Sequence, residues 1–578
     1  MPKAIVIGAG FGGIAAALRL RRKGYDVTLL DKQDKLGGRA YQYERKTELG
    51  TFIHDAGPTV VTAKFLFDEL FEMFGKKRED YIEFRDIFPW YRIVFSGTGL
   101  RHVNEDNTCR RPVPYFDYGG TIEQMEAQIR KFGGDEDVEG FRKYLTHSKK
   151  IFDVGFTELG SVPFHKLGTM LKCAPDLIRL ENYKTVWGMA KKYIRNENLR
   201  RVFSFQPLLV GGNPFNTTSI YSLIFYLERE WGVQFAMGGT GAIVRGLEKL
   251  MREEGVEIRL GEEVEAIEVN KFPDVFGGWE VDNQDVSLQN VERKEVGSRI
   301  PIISGLVLKG GEFVSALEKG DLVVCNADAP FVYDKLLDPR FRRGVAARRM
   351  NRRSEAGNLK YSMGLFVLYF GTKKPYPEIA HHTIVLGESY RELIDTLFDA
   401  REIETKDLSV YLHRPTATDP SMAPAGCESF YVLVPVPNLQ PKRTSPGMAI
   451  PGRSEIPLTS ENVIDWSRYG DTFLQHVLDY LERTVLPGLR ENIVDPFYVT
   501  PEHFKNKLNS MHGAGFSIQP LFSQSAYFRF HNKAPGIEGL YFVGAGTHPG
   551  AGMPGVLCSA KVLEHLIPDV KTGMTKPQ

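Results

Sequence analysis

Residues 4–40, AIVIGAGFGGIAAALRLRRKGYDVTLLDKQDKLGGRA, constrain the fold more than any other stretch of the chain. The apolar run 4–7 leads into Gly8, Gly10 and Gly13, spaced G-x-G-x-x-G. An Ala- and Leu-rich helix follows to about Lys23, then a second strand over 27–30 that ends at Asp31. In such a βαβ unit the first glycine permits the tight turn. The second admits a pyrophosphate to the backbone, and the third lets helix and strand pack closely. The helix N-terminus then faces the phosphates. Asp31 stands where a carboxylate accepts hydrogen bonds from a ribose hydroxyl. Strand, helix and acid together predict a dinucleotide site; a glycine turn without a ligand is the plainer reading.

Leu36-Gly37-Gly38-Arg39 comes directly after, and Asp55-Ala56-Gly57-Pro58 soon after that. Nicotinamide-binding domains have no need of this second glycine block. It resembles the extended fingerprint of FAD enzymes in the amine-oxidase and carotenoid-desaturase superfamily. That resemblance implies that Gly37, Gly38 and Arg39 wrap the FAD pyrophosphate, with Arg39 near the flavin. It also implies that the backbone at Glu263-Val264 meets the adenine. The plain reading is a flexible loop and a solvated arginine.

The C-terminal block GAGTHPGAGMPG follows an apolar run at 540–544 and precedes a helix. Gly544, Gly546 and Gly552 bring backbone N–H groups close to something flat or anionic. Met553 and Pro554 suit a helix start. A helix dipole aimed at a flavin favours the negative charge of its reduced form. His548 either contacts flavin or substrate or is a structural histidine bonded to backbone.

At 578 residues the chain is long enough for several domains. Lys+Arg is 73 and Asp+Glu is 72, so no nucleic-acid binder is indicated. The five cysteines (Cys109, Cys173, Cys325, Cys427, Cys558) are far apart, without a C-x-x-C pair. Neither a zinc site nor a disulfide framework is expected, and no metal site is assigned. The first strand begins at about Lys3, leaving no room for a signal peptide. No apolar run reaches the roughly 18 residues of a membrane span. A cytoplasmic protein, soluble or peripherally bound to a membrane, is the expectation.

The pattern predicts an α/β fold: a discontinuous Rossmann-like FAD-binding domain, a mixed-sheet substrate domain and a helical cap domain that associates with membrane. The nucleotide domain takes 1–95, 231–344 and 501–569, the cap 96–230, the substrate domain 345–500, with a frayed tail at 570–578. Helices are expected over 64–74 and 242–254, and strands over 256–260, 263–269, 321–326, 364–370 and 430–436. Residues 271–300 read as a surface hairpin or insertion and 440–459 as a Pro-rich loop.

Longer blocks carry a closer resemblance. DAGPTVVT, FSFQPLLVGGNPFNTTSIYSLI, LEREWGVQFAMGGTGAIV, CNADAP, LHRPTATDPSMAPAGCESFYVLVPVPNL and QSAYFRFHNKAPGIEGLYFVGAGTHPGAGMPGV run over nearly the whole chain. They identify it as a member of the bacterial and fungal-type phytoene desaturases, the FAD-dependent carotenoid desaturases. Residues 97–121, 271–306 and the loop after Asn438 are longer than that family's usual pattern, and Asp31 replaces a more common Glu.

The resemblance implies successive C–C dehydrogenation of phytoene, a C40 polyene, towards lycopene, with oxygen or a quinone reoxidising the flavin. Sister reactions on another carotene or on diapophytoene remain open, as does a non-enzymatic prenyl-lipid carrier on the same fold. The substrate comes from a membrane, and residues 162–180 mix apolar with basic residues as an interfacial helix does. Oligomerisation is left open. A hydrocarbon offers nothing to hydrogen-bond, so its site is expected to be a long apolar tunnel. The 37 Phe and 24 Tyr could line it or simply fill the core. No general base stands out. The candidates are His381, His382, His413, Glu228 and Glu230, each better read as a satisfied structural polar group.

Overall fold

A computed structural model describes residues 1–96, 114–270, 301–314, 320–350, 358–399, 403, 405, 407–441, 456–461 and 463–570. The expected insertion at 271–300 and the tail from 571 lie outside them, as do much of 97–121 and of the Pro-rich loop.

A five-stranded parallel sheet gathers strands from three distant parts of the chain. Its order is Leu540–Phe542, Leu322–Cys325, Lys3–Ile7, Asp26–Asp31, Glu257–Leu260. Every neighbouring pair is parallel. The central strands are buried on both faces, which is why 4–7 and 322–325 read as continuous apolar runs. The helix Phe11–Arg22 is buried from Phe11 to Leu20. Its Ile14 and Ala15 share one core with Leu557 and Ala560 of the helix Met553–Val562. Small residues on the first helix let sheet and second helix approach it from either side.

The second expected strand of the middle segment does not join this sheet. Val264–Asn270 pairs antiparallel with Ile302–Leu308 in a three-stranded sheet completed by Phe313–Val314. A turn at Gly261 and Glu262 turns the chain away from the parallel sheet.

The larger sheet has seven strands. Their order is Ile493–Val499, Gly364–Thr372, Glu428–Val436, Val410–His413, His382–Leu386, Tyr91–Phe95, Tyr115–Tyr118. All pairs are antiparallel except His382–Leu386 with Tyr91–Phe95, so the sheet is mixed. Two of its strands come from early in the chain. Tyr91–Phe95 closes the segment 1–95 and Tyr115–Tyr118 stands inside 96–230, yet both pair in this sheet. Four residues, Tyr-Phe-Asp-Tyr at 115–118, are too few to show a strand against the long helices beyond.

Those helices include Ile122–Phe152, Leu167–Arg179, Val186–Tyr193 and Leu223–Trp231. The first begins at a capping box: Thr121 Oγ1 accepts from Gln124 N–H, and Gln124 Oε1 accepts from Thr121 N–H. Phe116, Phe141, Phe203 and Phe225 pack together between helices and sheet, fully buried. Among the described residues no helix is long and apolar enough to cross a membrane.

Candidate active site

One cavity of ≈1010 Å³ runs from the end of the strand Asp26–Asp31, past the glycine segments, to the helices and the larger sheet. Its two halves are built differently. In the first half the walls are backbone. Gly37 N–H donates to Ala9 O (2.9 Å), laying the second glycine block across the first turn. Asn326 N–H donates to Ile7 O and its Nδ2 to Gly8 O (3.2 Å). Gly8, Gly10, Gly37, Gly38, Gly544, Gly552, Met553 and Pro554 all line this half.

Two of the glycines show why no side chain fits. A Cβ on Gly13 would lie 1.9 Å from Gly8 O, so this residue serves helix–strand packing and is not itself on the cavity wall. Gly544 has φ +97°, and its Cβ would meet Asn326 Oδ1 at 2.7 Å. Gly546 likewise faces Asp328 and Ala329 instead of the cavity. The helices Phe11–Arg22 and Met553–Val562, capped by Gly10 and Gly552, both start on the wall. A cradle of bare backbone and two helix N-termini fits a pyrophosphate and a flavin.

The polar residues of this half are held by backbone. Asp31 Oδ2 accepts from Ala9 N–H (2.6 Å) and Oδ1 from Gln33 N–H (2.8 Å), leaving each oxygen a lone pair for a ribose hydroxyl. Burial pushes its carboxyl above the usual range, against the pull of those two N–H groups. Val264 lines the same end with Glu262 and Glu263. Arg39 donates from Nε to Gly515 O and from Nη2 to Ser510 Oγ (both 3.1 Å). Desolvation lowers its guanidinium and the buried Asp328 supports it. Asp328 itself accepts from Ser517 Oγ and from Met511 N–H (3.0 Å).

Three residues holding this half had no assigned role: Asn326, Asp328 and Arg529. The fully buried Arg529 donates to Ala545 O (2.6 Å) and Thr547 O (2.9 Å), fixing the C-terminal glycine segment. The available signal was a polar residue directly after a buried strand, as in CN at 325–326.

In the second half the walls are side chains, mostly aliphatic: Leu208, Leu209, Leu223 and Leu227 from one side, Leu365, Val367, Val410 and Leu433 from the sheet. Aromatic rings stand among them, such as Phe156, Phe205, Tyr221, Tyr431 and Phe516, while others fill the core between helices and sheet. The helix Leu167–Arg179 contributes Met170 and Leu177 to the wall. It buries no residue, and its Leu171 and Ile178 are 64% and 67% exposed. His548 lines the cavity as well, with its Nε2 3.2 Å from Leu159 O. The bond to Leu159 O is the structural reading of that histidine. Burial lowers it to about 4, so it is neutral.

The five catalytic candidates separate clearly. Glu228 lines the cavity and is fully buried. Tyr91 and Tyr118, from the two early strands of the larger sheet, each donate to its carboxyl at 2.9 Å. Burial raises it to about 7, against those two bonds. Of the carboxyl groups on the cavity wall, Asp31, Asp34, Glu262 and Glu263 cluster at the strand end, and Glu228 stands among the apolar residues. Glu230 is exposed, accepts from Tyr226 Oη (2.8 Å) and is off the wall. His381, His382 and His413 are buried behind the wall and do not line it. None of these four is on the cavity wall, which agrees with the reading of each as a structural polar group.

The family profile of flavin containing amine oxidoreductases matches residues 11–561. A lycopene-forming phytoene desaturase of Pseudescherichia vulneris is 41% identical over 98% of this chain and 99% of its own. The chain belongs to the phytoene desaturase family. A neurosporene-forming phytoene desaturase of Rhodobacter capsulatus is 36% identical over 98% of this chain and 94% of its own. Among solved structures, putrescine oxidase bound to putrescine matches 98% of this chain and 99% of its own, with a TM-score of 0.56 at 12% identity, a likeness of fold alone. As a flavin-containing family, the phytoene desaturases use FAD, and the glycine-walled half is where the residues present fit it.

Proposed function

We propose that this chain desaturates phytoene in successive C–C dehydrogenations towards lycopene. The observation that carries the reading is the continuity of a backbone-walled cradle with an aliphatic-walled tunnel in one cavity. The relative of higher identity forms lycopene and the one of lower identity neurosporene, which favours the longer reaction series.

FAD, when bound, supplies the two-electron oxidant. Gly8, Gly10, Gly13, Gly37, Gly38, Arg39, Gly544, Gly546, Gly552, Met553 and Pro554 shape its cradle, Asp31 holds the ribose and Val264 abuts the adenine. The helix N-termini at Phe11 and Met553 favour negative charge beside them. The aliphatic wall binds the polyene by burial alone, at roughly 25 cal/mol per Å², and keeps water from the reacting carbons. Each dehydrogenation also releases a proton from a neighbouring carbon. Glu228, raised to about 7, is the group placed to take it.

The helix Leu167–Arg179 is the route to the bilayer. Its apolar residues Leu171 and Ile178 enter the lipid surface while Lys172 and Arg179 meet the headgroups, and Met170 and Leu177 open on the cavity. The protein thus works peripherally on a membrane, with oxygen or a quinone as final acceptor, in the three-domain arrangement the sequence outlines.

The test is a visible spectrum of pigment extracted after FAD-loaded protein meets phytoene in liposomes. A three-peaked lycopene spectrum is expected. Shorter-wavelength bands would replace lycopene with a less desaturated product, and unchanged phytoene would move the reading to a sister substrate.

A further inference from the structure

Behind the cavity wall, His381, His382 and His413 come together where the sequence spacing shows no metal motif. His382 and His413 sit opposite each other on the antiparallel strands His382–Leu386 and Val410–His413, and His381 precedes the first of these. Ring centroids are 4.6, 4.9 and 5.3 Å apart. Three imidazoles bound tetrahedrally at about 2.0–2.1 Å put their centroids roughly 5 Å apart. One nitrogen of each ring lies within 4.8 Å of one nitrogen of each other ring.

The surroundings orient each ring. Thr418 Oγ1 is 2.6 Å from His381 Nδ1, and Tyr411 Oη is 2.7 Å from His382 Nδ1. His413 Nε2 faces Asp55 Oδ2 at 3.8 Å, and its Nδ1 lies 3.4 Å from His382 Nδ1. Hydroxyl partners on the outer nitrogen, as on His381 and His382, help to fix metal-binding imidazoles. The Nε2 atoms of His381, His382 and His413 are all buried without a hydrogen-bond partner, as is Asp55 Oδ2. All three histidines are at most 4% exposed.

An unprotonated imidazole offers one lone-pair nitrogen, and one from each of three rings this close can meet on a single ion. A divalent cation accepts all three. Imidazole ligands suit zinc, nickel, copper or iron and not magnesium or calcium.

We propose that His381, His382 and His413 bind one divalent transition-metal ion of the zinc class. The ion ties the strand ends together behind Tyr411, which lines the cavity, and so stiffens that wall.

The test uses the full-length, FAD-loaded protein. Elemental analysis reads zinc, nickel, copper and iron per chain, and cobalt titration after chelator treatment reads the d–d bands of bound Co²⁺. About one ion per chain is expected in the wild type, with tetrahedral cobalt bands. His381→Gln and His413→Ala should lose at least tenfold in metal content while keeping flavin absorbance, and Thr418→Val should weaken cobalt binding about tenfold. Wild-type protein that holds flavin but neither carries a metal nor takes up cobalt would overturn the proposal and leave only water there. So would metal content unchanged in both histidine variants.

Discussion

The two halves of the cavity are made by opposite means. The glycine-walled half presents backbone, and a Cβ in its wrong place meets another main chain: Gly13 against Gly8 O at 1.9 Å. The aliphatic half presents side chains drawn from several separate stretches, such as Leu177, Leu227, Leu365 and Leu433. A backbone site tolerates little substitution, because Gly8, Gly37, Gly38, Gly544 and Gly552 hold positive φ values that strain any side chain. A side-chain site of similar volume repacks. The difference teaches where specificity for cofactor and for substrate is stored.

The largest effect should come from breaking the backbone half. Gly13→Ala forces a Cβ onto a carbonyl oxygen. The variant is expected to purify without flavin, read from the ratio of flavin to protein absorbance. A conservative change in the other half, Leu365→Met, should keep full flavin content.

Second is Glu228, the polar exception in the aliphatic half. Glu228→Gln should lower kcat by about 10²–10⁴ with flavin retained, measured as product per enzyme over time. As a base Glu228 works ionised, so the wild-type rate should rise with pH through about 7 and the variant's should not. Stability shifts the other way. Burial raises this carboxyl from 4.5 to about 7, so its contribution is full below 4.5 and is lost as pH rises through 7. The loss amounts to about 3 kcal/mol at most. Denaturant unfolding of wild type against Glu228→Gln should diverge over that window, with the variant the less pH-dependent.

How much of this was legible follows from the same contrast. A backbone site leaves its mark in sequence because only glycine satisfies it, so Gly8, Gly37, Gly544 and Gly552 stood out before any coordinates. The parallel sheet was legible for a related reason, since strands buried on both faces, such as Leu322–Cys325, read as unbroken apolar runs. The aliphatic half had no such mark. Leu208 on the wall and Leu199 in the core look alike in sequence. The strand Tyr115–Tyr118 was hidden by its shortness, and with it the tyrosine that holds Glu228. The histidines were visible as candidates, but their position behind the wall depends on strand facing, which residue type does not reveal.

Smaller effects test the outer face of the aliphatic half. Leu171→Glu with Ile178→Glu removes two exposed apolar side chains, each worth about 1.5–3 kcal/mol when buried. Binding to phytoene-free vesicles should fall at least tenfold in a sedimentation assay, with flavin content unchanged. The smallest effect belongs to Glu230, exposed and off the wall. Glu230→Gln should leave kcat within about twofold and stability within about 0.5 kcal/mol.

The most direct test of one cavity serving both cofactor and polyene is anaerobic. FAD-loaded protein is mixed without oxygen or quinone with vesicles that do or do not contain phytoene, and the oxidised-flavin absorbance is followed. The account predicts bleaching with phytoene vesicles alone, matched by one desaturation per flavin. Flavin that stays oxidised in the presence of phytoene, while still bound, would contradict it.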